Sequence, residues 1–383
     1  MRRSRASDSD PSASASPLRG VPIGVKDIFD TAGIPTEHGS ELFAGRIPSR
    51  NSDVVEAIAK AGAIMFGKTV TAELAFLHPG PTVNPWNRHR TPGGSSMGSA
   101  AAVAAGIVPL AIGTQTNGSV IRPAAFCGVV GFKPSAGAIP RGGALIFSPT
   151  LDQVGVFARN VEDAALLAAA LAGPNFKRAS TSARHEPRFC VLPLPTLSAA
   201  DPPMLARFRA DIAAIAAAGG DVEFLRSPPP GFEDMLPALR TIMSVEGHWC
   251  LSNVVSGRPD AVSSTLKDFL DEGSKVPISV YQSALALRRR MQRAFLAQMR
   301  SFDALLTIPA VGEAPGLETT GDPRFCTPWT LIGAPAITIP TGLGPGGLPL
   351  GLQLVGRIGR DGQLLRAAGW VAEHLPRLPP LAI

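Results

Sequence analysis

Short runs of aliphatic and β-branched residues alternate with alanine-rich or amphipathic stretches, a pattern that predicts strands interleaved with helices. The first run, Val21 to Val25 (VPIGV), ends at Lys26-Asp27, so a strand delivers a lysine at its end. A turn-rich segment, Asp30 to Ser40, follows. Ser52 stands where an N-cap is expected, with Asp53 and Glu56 in the first turn of a helix to about Ala61. Ala63 to Gly67 reads as a strand. Glu73 then opens a loop in which His78, Pro79, Pro81, Pro85 and His89 exclude regular structure. Met97 to Ala105 reads as a helix of small residues, Val108 to Gly113 as a strand and Thr114 to Val120 as a glycine loop. Val129 to Lys133 is another apolar run. Asn160 caps a helix, VEDAALLAAALAG, that Gly173-Pro174 stops.

From 175 to 307 the texture changes to a variable, mostly helical region, read as an insert or lid over the core. It contains a strand in RFCVLPLP, an alanine-rich helix from Pro203 to Ala218, a short strand from Val222 to Leu225, and helical stretches from Phe232 to Val254 and Tyr281 to Ser301. Phe302 to Ile308, Ala336 to Thr341 and Leu352 to Gly356 return as strands, and Asp361 to Leu375 is a last amphipathic helix. A chain of 383 residues with this alternation predicts one large α/β domain over 18–383, preceded by a polar, disordered tail at 1–17.

Composition narrows the class. Charged residues are only 17% and aromatics 6%, while 40 glycines and 37 prolines supply many tight turns, which suits a compact enzyme rather than a solenoid. The formal charge of +6 is spread along the chain, apart from Arg2, Arg3 and Arg5 and the cluster Arg288-Arg289-Arg290, so a nucleic-acid partner is not expected. The four cysteines are widely spaced in apolar surroundings, which points to a reducing compartment, the cytoplasm. No Cys-x-x-Cys or His-Glu-x-x-His pattern occurs, and neither metal nor cofactor is expected. No apolar stretch is long enough to span a membrane, and the amino end lacks the apolar core of a secretory signal.

The candidate chemistry lies between Arg90 and Gly131, RTPGGSSMGSAAAVAAGIVPLAIGTQTNGSVIRPAAFCGVVG. Ser95 and Ser96 sit in a Gly-Gly-Ser-Ser turn, and Ser119 ends Thr116-Asn117-Gly118-Ser119. By themselves these fit two Gly/Ser turns flanking a packed helix equally well. A serine needs a base to become a nucleophile. No histidine has a Ser-His-Asp context, and the G-x-S-x-G elbow is absent. A buried lysine can be that base, because desolvation lowers its pKa, and a bridging serine can relay the proton.

The blocks VPIGVKDIFDTAGIPTEHGS, GKTVTAELAF, NPWNRHRTPGGSSMGSAAAVAAG, GTQTNGSVIRPAAFCGVVGFKPS and GLPLGLQLVG, in this order, resemble the amidase signature family from Leu18 to about Gly173 and again from about Cys326 to Glu373. The resemblance implies an α/β domain with a mixed, mostly central β-sheet covered by helices on both faces, with the helices that precede VPIGVKD in the family missing. It implies Lys26 as general base, Ser95 as bridging serine after a cis peptide bond from Gly94, and Ser119 as acyl-forming nucleophile. Amides of Thr116, Asn117, Gly118 and Ser119 then form the oxyanion hole. Ser96, Arg122 and Asp152 are supporting residues, with Arg122 a clamp of the loop, and Met97, Thr327 and Trp329 are candidates for the substrate pocket. The chain departs from the common family pattern at Gln115 and Asn117, where Asp and Gly are usual, and places Arg122 one position later than the usual arginine. The implied activity is hydrolysis of a small-molecule carboxamide, first as a stand-alone enzyme, with a homodimer left open. The alternatives are the amidase (glutaminase) subunit of a tRNA-dependent amidotransferase, and a truncated relative that binds or assembles without catalysis.

Overall fold

The computed structural model describes residues 16–173, 176, 186–379 and 381. The tail expected at 1–17 lies outside them except for 16 and 17, and the Ser16 hydroxyl donates to the carbonyl of Ala61. Among the described residues the strands are β1 (Pro22–Lys26), β2 (Ile64–Thr69), β3 (Leu110–Gln115), β4 (Val130–Lys133), β5 (Gln153–Ala158), β6 (Arg188–Val191), β7 (Asp221–Phe224), β8 (Ala304–Thr307), β9 (Ala336–Leu343) and β10 (Pro349–Val355). They form one ten-stranded sheet in the order β2-β1-β3-β5-β4-β9-β10-β8-β6-β7. β1 runs parallel to both β2 and β3, the centre from β3 to β8 is antiparallel, and β6 is parallel to β7 and β8. The sheet is therefore mixed, as expected.

The helices are α1 (Asp53–Lys60), α2 (Met97–Ala104), α3 (Ile121–Cys127), α4 (Val161–Ala172), α5 (Pro202–Ala217), α6 (Met235–Gly257), α7 (Ser264–Lys275), α8 (Ile278–Gln298), α9 (Thr327–Leu331) and α10 (Asp361–His374). Side chains of a strand alternate between faces, and here each face has its own helices. Leu110 and Ile112 of β3 join a core with α1, α4, α5 and α10, while Ala111 between them packs with α2 and α3. Small residues bring α2 in close: a methyl on Gly98 would stand 2.4 Å from the backbone nitrogen of Val70. That proximity sets the Gly-Gly-Ser-Ser turn directly over the ends of β1 and β3.

Several local expectations hold. Asn160 caps α4 by accepting from the Asp163 amide at 2.7 Å. Ser52 occupies the N-cap of α1, but its hydroxyl makes no capping bond. Four elements went unanticipated, among them α9. β5 is buried at every position, so no polar alternation marks it. α3 is a short helix with Pro123 in its first turn, where the missing N–H costs nothing. α7 fills the variable segment before Val276. β3 also extends through Thr114 and Gln115, residues assigned from sequence to the glycine loop.

Gly98→Ala is expected to force α2 off the β2–loop backbone and to lower stability by about 1–3 kcal/mol, read as a shift in the urea midpoint with an unchanged slope.

Candidate active site

Lys26 is the last residue of β1, and its side chain is fully buried. Its Nζ donates to Ser95 Oγ at 2.8 Å and to Thr114 Oγ1, on the neighbouring strand β3, at 3.1 Å. Burial without an adjacent carboxylate brings its pKa down to about 7, while the more distant Asp152 pulls the other way. Ser95 follows a cis peptide bond from Gly94. Ser96 Oγ donates to the carbonyl of Thr114 at 3.2 Å and fastens the turn to β3.

The second loop leaves β3 at Thr116. Gln115, fully buried, accepts from the amides of Val120 and Ile121 at 2.9 and 3.0 Å, so the strand end caps the start of α3. Its Nε2 donates to Thr330 Oγ1, which donates in turn to the carbonyl of Asn117 at 2.7 Å. Thr327 Oγ1 donates to Asn117 Oδ1 at 2.6 Å. Asn117 is not in the left-handed region, so the asparagine does not stand in for a glycine's backbone freedom; its side chain serves as an anchor. Thr116 Oγ1 donates to Asp152 Oδ1 at 2.6 Å, and Asp152 Oδ2 accepts from the amides of Phe147 and Ser148. With the carbonyls of the loop drawn away, the backbone N–H groups of Asn117, Gly118 and Ser119 find no acceptor among the described residues. The Ser119 hydroxyl likewise makes no hydrogen bond there, and Ser119 lines a cavity of about 370 Å³.

The loop from Thr116 to Ser119 forms one side of that cavity, and Leu236, Leu239 and Met243 of α6 form another, with Phe76 and Phe269. Arg240 and Arg324 at its rim are engaged by Glu272 and Asp322. The helical region is held over the site by two carboxylates. Glu73 accepts from the amide and hydroxyl of Ser263, the N-cap of α7. Glu246 of α6 accepts from Ser148, Thr150 and Tyr281.

Lys26, Ser95 and Ser96 thus meet at Thr114 of β3, Asp152 holds Thr116 two residues further along, and Ser119 lies in the cavity at the end of the same loop. Arg122 lies beside them and donates through Nη2 to the Gly94 carbonyl at 2.8 Å, a clamp between the two loops. Thr327 lines the cavity. Trp329 and Met97 do not. Trp329 is fully buried with ring centroids 6.0 Å from Phe232 and 5.7 Å from Phe295, because α9 turns its aromatic face into the core. Met97 is buried, with Sδ accepting from the Gly80 amide at 3.1 Å, on the far side of the turn. Sequence reasoning missed Thr114 and Thr330, and it noted Gln115 only as a departure from the family pattern, not as the cap of α3; a polar pair ending an apolar strand was the one available signal for Thr114 and Gln115.

The family model described as Amidase matches residues 2–365. A glutamyl-tRNA(Gln) amidotransferase subunit from Picosynechococcus sp. is 33% identical over 406 residues, covering 92% of this chain and 83% of that protein. Further relatives at 32–35% identity carry the same description. Among solved structures, one described as an amidase superposes with a TM-score of 0.86 at 30% identity, covering 94% of this chain and 86% of that one. A 6-aminohexanoate cyclic dimer hydrolase, complexed with substrate, also reaches 0.86, at 26% identity over 98% of this chain and 89% of that one.

The amine of Lys26 is expected to titrate near pH 7 when followed by the ¹³Cε shift of a labelled protein. Asp152→Asn removes the anion that favours the ammonium form, so the midpoint is expected to fall further.

Proposed function

The chain belongs to the amidase signature family and hydrolyses a carboxamide, and we propose that it does so through an acyl-enzyme on Ser119, with Ser95 and Lys26 as proton relay. The observation that carries this reading is the 2.8 Å bond between a fully buried, counter-ion-free Lys26 and Ser95. A lysine whose pKa is about 7 supplies a neutral amine at physiological pH. That amine takes the Ser95 proton as Ser95 takes the Ser119 proton, through a bond that closes when substrate is bound. Ser119 attacks the amide carbonyl, and the oxyanion is met by the unclaimed amides of Asn117, Gly118 and Ser119. The relay returns a proton to the departing nitrogen, and water releases the acyl group by the same path. Thr114 holds Lys26 in reach, and Asp152 fixes Thr116 at the root of the loop.

For its setting, the amidotransferase relatives are the better guide, since their identity and coverage support that reading over the stand-alone enzyme expected from sequence. The acyl donor is then glutamine, the product is ammonia for a second active site, and the partners are other subunits rather than a second copy of this chain. One observation favours the stand-alone reading: the Leu236, Leu239 and Met243 wall suits an apolar acyl group. No helix among the described residues is long and apolar enough to cross a membrane, and we assign the protein to the cytoplasm, acting on a small molecule without direct nucleic-acid contact.

Incubation with glutamine and with a panel of alkyl and aryl carboxamides is expected to release ammonia and to leave an acyl mass on the Ser119 peptide alone. Release from glutamine, with further subunits retained on purification under native conditions, supports the amidotransferase setting; turnover of apolar amides by the lone chain supports the other. Ser119→Ala abolishes both signals, and Lys26→Ala lowers kcat/KM by at least about 10²-fold; near-wild-type turnover in either variant ends the assignment. The base acts deprotonated, so kcat/KM is expected to rise with pH through about 7 and level off above it.

A further inference from the structure

Arg122 carries a charge that no carboxylate among the described residues pairs with. It is 2% exposed. Nη2 donates to the Gly94 carbonyl at 2.8 Å and to Thr320 Oγ1 at 3.3 Å, whereas Nε and Nη1 have no acceptor. Burial lowers its pKa only to about 10, so the guanidinium is protonated at neutral pH. Cys326 beside it, pushed up to about 12 by burial, is a neutral thiol. Asp322, the nearest acid to act on it, is bound to Arg324 at 2.6 Å. The residue at 115 that caps α3 is a neutral glutamine.

A buried charge with unmet donors is costly, and a folded chain keeps one where its charge is used. Its position says by what. Nη1 lies 3.3 Å from where a Cβ on Gly118 would stand, and Arg122 lines the cavity together with the loop from Thr116 to Ser119, so the cation lies against that loop at the cavity wall. Through Nη2 it also touches the peptide that carries Ser95. Ile121 is turned into the apolar core instead; a shift of one position on a helix swings a side chain by about 100°.

We infer that Arg122 is a positioning residue whose uncompensated charge, set beside the Asn117–Ser119 loop at the cavity wall, adds to the field that stabilises the oxyanion formed at Ser119. The inference rests on the hydrolase reading above. The charge strengthens its hold as negative charge develops, so it acts on the transition state more than on the neutral amide.

The test compares Arg122→Gln, Arg122→Lys and Thr320→Val, with kcat and KM for the best amide of the panel and with the affinity of phenylboronic acid, which forms an anionic tetrahedral adduct on a serine. Arg122→Gln is expected to lose about 10²-fold in kcat with KM changed less than about threefold, and to lose boronate affinity in parallel. Arg122→Lys keeps the charge and is expected to stay within about tenfold of wild type. Thr320→Val keeps the charge but loses one acceptor, and is expected to stay within about threefold. A folded Arg122→Gln with wild-type kcat overturns the inference. So does an Arg122→Lys as impaired as Arg122→Gln, or a Thr320→Val as impaired as either, because shape rather than charge would then be at work. If Arg122→Gln does not fold, as judged by circular dichroism, the lysine and valine variants decide alone. Labelling of wild-type Ser119 by a fluorophosphonate separates the two levels: without it the hydrolase reading falls, and with it only the role of Arg122 is in question.

Discussion

The site depends on desolvation of one amine. Lys26 ends a strand that is covered on both faces, and the groups it meets are hydroxyls, not carboxylates. An adjacent acid would hold it as an ammonium and remove the base. Burial alone would leave a donor unsatisfied, and Ser95 and Thr114 supply acceptors without supplying charge. The parallel placement of β1 beside β3 is what puts Thr114 there, and the close seat of α2 is what puts Ser95 there.

Around that amine the protein separates its charges. The loop from Thr116 to Ser119 is fixed by neutral or hydrogen-bonded side chains at each end: Gln115 and Thr330 on one side, Asp152 on the other. Each takes a polar group of the loop out of competition and leaves its amides unclaimed. The negative charge of Asp152 is spent on Thr116 and two backbone amides, while the positive charge of Arg122 is left open beside the loop. Positive charge is therefore left at the loop of unclaimed amides, and burial keeps the lysine's pKa low against the pull of Asp152.

The helical region supplies the other wall, and it is attached by buried carboxylates rather than by apolar contact alone. Glu246 of α6 binds Ser148 and Thr150 of the core domain, and Glu73 of the core domain binds the amide and hydroxyl of Ser263 at the start of α7. Such charge-assisted bonds are directional, so they set where α6 and α7 sit above Ser119. The two walls of the cavity thus come from different stretches of chain.

Read in order, the chain already displays its strand–helix alternation, the lysine at a strand end, the two serines in glycine loops and the cap at Asn160, because each depends on neighbours a few residues away. The chemistry of the set became legible only through its resemblance to a family, since spacing alone fits two ordinary turns equally well. β5, buried at all positions, leaves no periodic trace, and α3 is too short to show one. Gln115, Thr330 and Thr114 owe their roles to partners on other elements, and Trp329 and Met97 owe their burial to which way α9 and the Gly-Gly-Ser-Ser turn face. Local order is written in local sequence, whereas charge balance and exposure are sums over segments far apart in the chain, and those sums exist only once the sheet has closed around Lys26.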